Sequence, residues 1–236
     1  MELNKTLWHE ADILAFSDYL RMYQNKEKEV WSRSILNTKL ELLCLTTQTL
    51  DLIAKSIYKG NYISFLDLKI FDTYESIAIY GKLIGMIDDY ELMVHYLEIY
   101  INQMENWAHV DLLSFKRHFD HKDDLLNLSI KYLDSKEAFI RRLGLMILFQ
   151  LIKDKTVLPD IYEALMSLKD ETNYYVIMMA GWLLSECIIK YQDETLKFII
   201  NNSNLNPRIV NKGIQKCRES RRVSDQLKTL LFSYKK

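Results

Sequence analysis

Apolar residues recur at intervals of three and four positions along most of the chain, the spacing that places them on one face of an α-helix. The pattern is clearest in ESIAIYGKLIGMIDDYELMVHYLEIYI, AFIRRLGLMILFQLI and YYVIMMAGWLLSECIIKY. Only six glycines and two prolines interrupt the 236 residues, far fewer than average usage. The sequence therefore predicts about a dozen helices and no strand, because most of the residues that end strands and form tight turns are missing.

The predicted helices come in pairs, separated by short polar breaks such as YKGNY, DSKE, KDKTVLP and NNSNLNP. The pairs repeat every ~35–40 residues, which is typical of stacked helical hairpins. This spacing favours an α-solenoid with a concave face, and a globular all-α bundle is the alternative. One helix is expected to start at Asp134 and Ser135, and another to carry Pro159 in its first turn. The predicted pairs are 73–87 with 89–103, 107–117 with 121–134, 136–153 with 158–168, and 172–191 with 193–202.

Charge is unevenly distributed along the chain. Residues 201–236 hold nine Lys and Arg against two acids, whereas the first 200 residues hold 22 basic and 30 acidic residues. Within the basic end, Arg208, Lys212 and Lys216 are four positions apart and share one helix face, as phosphate contacts would. The pattern predicts either a local anion-binding surface or a solvated terminal helix.

The remaining composition excludes several classes of protein. Three cysteines without metal-like spacing, and no secretory leader, favour the cytoplasm. No apolar run is long enough to span a bilayer, so no membrane partner is expected. His118 and His121 lie near several aspartates, but no third ligand is in helical register, and no metal site is predicted. No phosphate-binding loop, nucleophile elbow or dinucleotide fingerprint is present, and no cofactor is expected.

Two tryptophans draw attention as candidate site residues. In ENWAHVDLL, Trp107 and Asp111 are four apart, so a helix would place the indole and the carboxylate on one face. That pair is either part of a core edge or a small site for a cation, and His109 would point to a different face. Trp182 follows Gly181, whose missing side chain permits close approach, although an ordinary core tryptophan is the simpler interpretation.

An arginine pair begins a long apolar helix. Arg141 and Arg142 are adjacent in FIRRLG, so they point in different directions from the helix. A solvated face explains them most simply, but at least one must extend past apolar surface or face a groove.

These landmarks, in this order, resemble the bacterial DNA alkylation repair family, the HEAT-like repeat alkylpurine DNA glycosylases. NWAHVDLL is similar to the family's Trp-x-x-x-Asp helix, FIRRLGLMILFQLI to its W-x-R-R helix, and YYVIMMAGWLLSE to its QKAIGWxLRE helix. FDTYESIAIYGKLIG and, more weakly, NPRIVNKGIQK also resemble the family. The resemblance implies an all-α fold, a right-handed α-solenoid of HEAT-like repeats with a concave groove, in a single domain over residues 1–236.

The resemblance also implies a function. Members of this family hydrolyse the N-glycosidic bond of positively charged N3- or N7-alkylated purines in DNA. Trp107 and Trp182 would contact the sugar and backbone of the lesion nucleotide, and Asp111 would stabilise positive charge on the deoxyribose and help to position water. Arg141 or Arg142 would hold a phosphate. The expected partner is alkylated double-stranded DNA, bound weakly by a monomer.

The chain departs from the family pattern at cationic positions. The family's Gln-Lys pair falls on Ile177 and Met178, and the Arg three residues after the Trp falls on Ser185. The first-repeat helix, aromatic and basic in the family, reads YQNKEKEVWSR here. Lost cationic contacts weaken DNA binding. The two hypotheses are therefore a glycosylase with weak or lost activity, and a non-catalytic helical-repeat protein that binds DNA structures or another protein.

Overall fold

The computed structural model describes residues 1–236 and is helical throughout. It contains fourteen α-helices and five short 3-10 segments, and its only β-type pairing is an isolated parallel bridge between Glu41 and Thr73. The all-α prediction is confirmed. The helices are α1 (Asp12–Arg21), α2 (Glu29–Leu36), α3 (Thr47–Tyr58), α4 (Tyr62–Asp67), α5 (Tyr74–Ile84), α6 (Tyr90–Tyr100), α7 (Trp107–Asp111), α8 (Lys122–Leu133), α9 (Ala138–Leu151), α10 (Leu158–Ser167), α11 (Tyr174–Lys190), α12 (Gln192–Asn201), α13 (Pro207–Glu219) and α14 (Asp225–Leu230).

The chain forms two compact units, Met1–His118 and Phe119–Lys236. In the first unit, the rings of Trp8, Phe16 and Phe65 meet edge to face, with centroids 5.0 to 5.8 Å apart, an arrangement that aromatic quadrupoles favour. The predicted single domain, residues 1–236, would include both units, and it stays a prediction.

In the second unit, the packing follows chain order. α9, α11 and α13 lie side by side, while α8 and α12 pack against α9 and α11 respectively. Glycines permit the closest approach of α11 and α13: a Cβ on Gly181 would lie 2.6 Å from Cγ of Lys212, and one on Gly213 would lie 3.0 Å from Cδ2 of Leu184. This is the packing of stacked helical hairpins that the spacing predicts, and it is consistent with an α-solenoid.

Two predicted helix boundaries are wrong, the start of α9 and the end of α7. α9 does not start at Asp134 and Ser135: Asp134 ends α8, and Glu137 is the residue before α9. The Ser135 hydroxyl does accept the backbone N–H of Glu137 at 3.1 Å, but Ser135 lies two residues before Glu137, the N-cap residue, and so does not cap the helix. Pro159 lies in the first turn of α10, as predicted.

The predicted helix 107–117 ends early, at Asp111. Beyond it the chain passes against Gly85, where a Cβ would lie 3.1 Å from the carbonyl oxygen of Ser114. Leu113 and Phe115 on either side of Ser114 are both buried, at 3% and 1% exposure. A non-helical backbone lets Leu113 and Phe115 both enter the core while the chain passes Gly85, so packing against the rest of the unit accounts for the early end of the helix.

Candidate functional site

The short helix α7 carries Trp107 at its first position and Asp111 at its last. Asn106 starts it, because the Asn106 side-chain oxygen accepts the N–H groups of Ala108 and His109 at 2.9 and 3.3 Å. Trp107 is half-buried, and its indole N–H donates to the carbonyl of Ile35 at 3.4 Å. A helix of five residues is not stable alone, so its neighbours must hold the Trp107 and Asp111 side chains in place.

His109 provides most of that support. Its ring is fully buried and stacks on Tyr74 at a centroid distance of 4.5 Å. Nδ1 accepts the backbone N–H of Glu105 at 3.3 Å, so Nε2 carries the proton that faces the Tyr74 carbonyl, also at 3.3 Å. The Tyr100 hydroxyl donates to the backbone carbonyl of His109 at 2.9 Å. α7 is thereby attached to α5 and α6, and His109 is fully buried whereas Trp107 and Asp111 are partly exposed, in agreement with the prediction that His109 lies on a different face.

Burial sets the protonation state of His109. Loss of hydration lowers the pKa of His109 to about 4, although the hydrogen bond to Tyr74 and the Glu105 carboxylate oppose that shift. The imidazole is therefore neutral at pH 7, in agreement with its one accepting and one donating nitrogen. A neutral, fully engaged imidazole serves as an anchor and takes no part in proton transfer.

Asp111 places a negative charge at the C-terminal end of α7. It is partly exposed. Its charge also acts on the Tyr74 hydroxyl, whose pKa is raised mainly by burial and further by the carboxylates of Glu75 and Asp111. Carboxylates are disfavoured at helix C-termini, where the backbone dipole is negative. Helix stability therefore does not explain why a carboxylate stands at this position.

Another tryptophan of the first unit, Trp31, was not predicted as a site residue. Trp31 is 66% exposed on α2, one turn before Ile35, whose carbonyl receives the Trp107 N–H. No residue of α2 is buried. Trp31 and Ile35 are four residues apart in the sequence, which places them on one face of α2. Only the hydrogen bond from Trp107 to Ile35 shows that this face lies near α7.

In the second unit, Trp182 lies at the surface of α11. The side chain is 37% exposed, and its ring packs against Phe149 at 4.5 Å. The interpretation of Trp182 as an ordinary core tryptophan is therefore wrong. Tyr174, Met178 and Trp182 follow one another at intervals of four residues, so they form a partly exposed stripe on one face of α11.

Both arginines of FIRRLG are engaged within the second unit. Arg141 donates from Nε to the Glu171 carboxylate at 2.7 Å and from Nη1 to the carbonyls of Ser135 and Lys136. Arg142 is only 5% exposed and donates to the Tyr175 carbonyl at 2.7 Å. The solvated-face interpretation is therefore wrong for Arg142. A phosphate on Arg141 would have to compete with the Glu171 carboxylate.

The basic face predicted from the C-terminal residues forms a concave surface of about 720 Å³. Eleven residues line it, five of them basic and none acidic. We name it the basic basin after its cations, Arg208, Lys212, Arg218, Lys235 and Lys236. Five positive charges with no acid in the lining make a surface for an anion.

The basin differs in detail from the predicted stripe. Arg208 and Lys212 line it, but Lys216 lies beside it and is half-buried. Arg218 lines the basin instead, and its guanidinium lies 4.0 Å from the ring centroid of Phe232. Lys235 approaches the same ring at 5.2 Å. Helical rotation explains the exchange, since the basin follows residues 208, 211, 212, 215 and 218 of α13.

The C-terminal segment is bound to α13, which completes the basin. The Asn211 side chain accepts the backbone N–H of Lys236 at 3.1 Å and donates to its carbonyl at 2.6 Å. Sequence reasoning missed Lys235 and Lys236 because the hydrogen bonds that bring them here cannot be deduced from spacing. On the α11 side, Ile177 and Met178 line the basin, and they occupy the positions of the family's Gln-Lys pair.

Two further predictions for residues 1–236 concern clusters of metal-binding side chains and helices that could cross a membrane. No group of three or more His, Cys, Asp or Glu side chains is arranged to hold a metal ion. His118 is buried with Nε2 2.9 Å from the Ile87 carbonyl, and His121 faces Asp124 at 3.3 Å. None of the helices combines the length and the apolar character that crossing a membrane requires.

The protein is all-helical, with a basic concave surface in the second unit and a short helix that carries Trp107 and Asp111 in the first. A family model described as DNA alkylation repair enzyme matches residues 16–214, and the chain belongs to that family. Membership implies a role in the repair of alkylated DNA, with DNA as the substrate. No curated protein and no solved structure matches the chain at a significant level.

Proposed function

We propose that the protein is a DNA glycosylase that hydrolyses the N-glycosidic bond of positively charged N3- and N7-alkylated purines. The observation that carries the proposal is the presence of Trp107 and Asp111 on one face of a helix within the region that matches the family. A cationic purine is already a good leaving group, so the reaction needs no strong general acid. What it needs is a negative charge beside the sugar as the bond breaks.

Asp111 would supply that charge. The transition state of glycosidic cleavage resembles an oxocarbenium ion, which a nearby carboxylate stabilises electrostatically. The carboxylate would also orient the water that attacks the sugar. The cost of placing it at a helix C-terminus fits a functional role, and the buried His109 holds the helix that carries it.

The tryptophans would hold the nucleotide. A flat indole packs against a deoxyribose without demanding a particular base, which suits an enzyme that recognises charge. Trp107 is half-buried and Trp182 is 37% exposed, so each offers part of a ring to a ligand. The role of each tryptophan is inferred from the resemblance.

DNA would be held mainly by the basic basin. Arg208 and Lys212 would contact phosphates, with Lys216 adding charge at its edge and Arg141 or Arg142 a further contact inferred from the resemblance. Such contacts are independent of base sequence and weaken with salt. The first unit is net negative and the second net positive, so only part of the protein attracts DNA. Binding is therefore expected to be weak, roughly micromolar at physiological salt. A cytoplasmic monomer, folded as one HEAT-like domain, completes the proposal.

A specific observation favours the alternative, a non-catalytic DNA-binding protein of the same family. Met178 replaces a cationic family position inside the basin, and Ser185 replaces another at a site that is 2% exposed. Because Ser185 is buried where α11 packs on α13, an arginine side chain at this position would require local repacking.

Release of bases from methylated DNA distinguishes these two functions. Duplex DNA is treated with a methylating agent, incubated with excess protein, and the freed purines are separated by chromatography. The proposal predicts release of N7-methylguanine or N3-methyladenine above the spontaneous rate. Release equal to that without protein, with DNA binding intact, would establish the binding function instead.

A further inference from the structure

A second concave surface lies in the Phe119–Lys236 unit, between α8 and α10 with α9 as its floor. α8 and α10 touch each other at few points, whereas α8 packs closely on α9. The space between them is about 720 Å³ and is open to solvent. We name it the α8–α10 groove. Apart from Arg141 at one end, its lining takes no part in the proposed contacts with DNA.

The groove has an apolar interior formed by two facing helix stripes. Residues 126, 129, 130, 133 and 134 of the α8 side and 160, 163, 164, 167 and 168 of the α10 side line it, each at intervals of three and four. Leu148 of α9 lies in the floor. Ile130 is 62% exposed, a large apolar side chain left without cover. The interior is therefore shaped for apolar side chains that repeat at helical spacing.

The rim of the groove is acidic. Five carboxylates line it, Asp134, Asp160, Glu163, Asp170 and Glu171, against two cations, Lys131 and Arg141. The Arg141 charge is already paired with Glu171 at 2.7 Å. The excess of three negative charges repels phosphate, so DNA is excluded as the occupant. The basic basin of the same unit, with five cations and no acid, has the opposite charge.

We propose that the α8–α10 groove is the docking site for a basic amphipathic helix of a partner protein. Helices dock in grooves of this kind by inserting apolar anchors at i, i+3, i+4 and i+7. The stripe on each side is nine residues long, from 126 to 134 and from 160 to 168, which corresponds to ~13 Å of helix. A partner helix of about three turns, with leucine-like anchors and flanking Lys or Arg, matches both the floor and the rim.

The first test uses a designed probe and a matched pair of isoleucines. The probe is a fluorescein-labelled 14-residue peptide of leucine and lysine with leucines at helical spacing, and binding is measured by fluorescence anisotropy. Ile130 in the groove and Ile200 on α12 are 62% and 63% exposed, so both tolerate a polar residue. We expect Ile130→Asp to raise the Kd at least tenfold and Ile200→Asp to change it less than twofold. Equal effects of the two variants would overturn the proposal.

The second test reverses a rim charge. Glu163→Lys changes the groove, and Asp193→Lys makes the same charge change at an exposed position in the first turn of α12. The proposal predicts a Kd raised at least fivefold by Glu163→Lys alone, and an effect that shrinks as salt is added. A peptide with glutamate in place of lysine should not bind. Equal binding of the glutamate peptide, or equal loss with Asp193→Lys, would contradict a basic partner.

DNA binding provides an independent control. Because the groove and the basic basin have different linings, Ile130→Asp should leave the affinity for DNA unchanged. Loss of both activities in this variant would show that the substitution disturbs the unit as a whole and would remove the support for a separate docking site. Failure of the glycosylase proposal would leave the peptide result unaffected.

Discussion

The two compact units differ in charge and in the way each holds its candidate residues. Met1–His118 carries 12 basic and 17 acidic residues, whereas Phe119–Lys236 carries 19 basic and 15 acidic residues. The first unit offers a carboxylate, which suits a developing cation, and the second offers a basic basin, which suits phosphates. Under the proposed function, the comparison assigns affinity for DNA and stabilisation of the transition state to different parts of one chain.

The supports for the two sets of residues also differ. α7 has five residues and depends on one buried side chain, His109, for its connection to α5. α11 and α13 have 17 and 13 residues and pack along their length through Gly181 and Gly213. The α7 site should therefore be sensitive to single buried substitutions, and the basin should respond mainly to changes of charge.

Replacing His109 should have the largest effect on stability. His109→Leu removes the acceptor of the Glu105 N–H and the side-chain donor to the Tyr74 carbonyl, at a cost of about 1–3 kcal/mol each. We expect the free energy of unfolding to fall by about 4 kcal/mol in total. Urea denaturation measures it. His95→Leu at an exposed position of α6 is the control, with a change below about 0.5 kcal/mol expected. Equal values for the two variants would show that His109 does not anchor α7.

Acid should weaken the same anchor. The pKa of His109 is about 4 in the folded protein, below its ordinary value, so the folded state binds fewer protons than the unfolded state as the pH falls. Its contribution is complete above the unfolded pKa of about 6.5 and is lost as the pH falls towards 4. The loss is about 3 kcal/mol at most.

Measuring the free energy of unfolding from pH 7 to pH 4 checks this prediction. Subtracting the curve of His109→Gln isolates the histidine from nearby carboxylates such as Glu75, whose pKa is raised mainly by burial. A difference curve that is flat over this range would contradict the buried neutral imidazole.

Charge substitutions in the basin should have a smaller effect, confined to DNA binding. Arg208→Gln with Lys212→Gln removes two cations from the lining while keeping much of each side chain's bulk. The Kd for duplex DNA should rise about tenfold at moderate salt, and the slope of log K against log salt should fall in magnitude by about 1.8. Lys169→Gln with Lys197→Gln, both exposed and outside the basin, removes the same charge and should change the Kd less than about twofold. Similar losses in both pairs would show that only net charge matters.

Much of this architecture follows from residue patterns, because helical periodicity and caps are local properties. The helices around 136–153 and 172–191 and the place of Pro159 were predictable for this reason. The early end of α7 was not, since it depends on the passage of Ser114 beside Gly85, far away in the sequence. The exclusion of Lys216 from the basin depends on helix rotation, and the inclusion of Lys235 depends on contacts of the C-terminal segment. The neutral state of His109 likewise required its burial to be known.

The rate of base release by Asp111→Asn tests the central claim most directly. Asparagine keeps the size of the side chain and removes the charge that would oppose the oxocarbenium ion. With enzyme in excess over methylated DNA, so that binding does not limit the rate, the account predicts release about a hundredfold slower than wild type, with unchanged unfolding free energy and DNA affinity. Asp18→Asn, an exposed carboxylate of the same unit, should release bases at the wild-type rate. Wild-type release by Asp111→Asn would contradict the account.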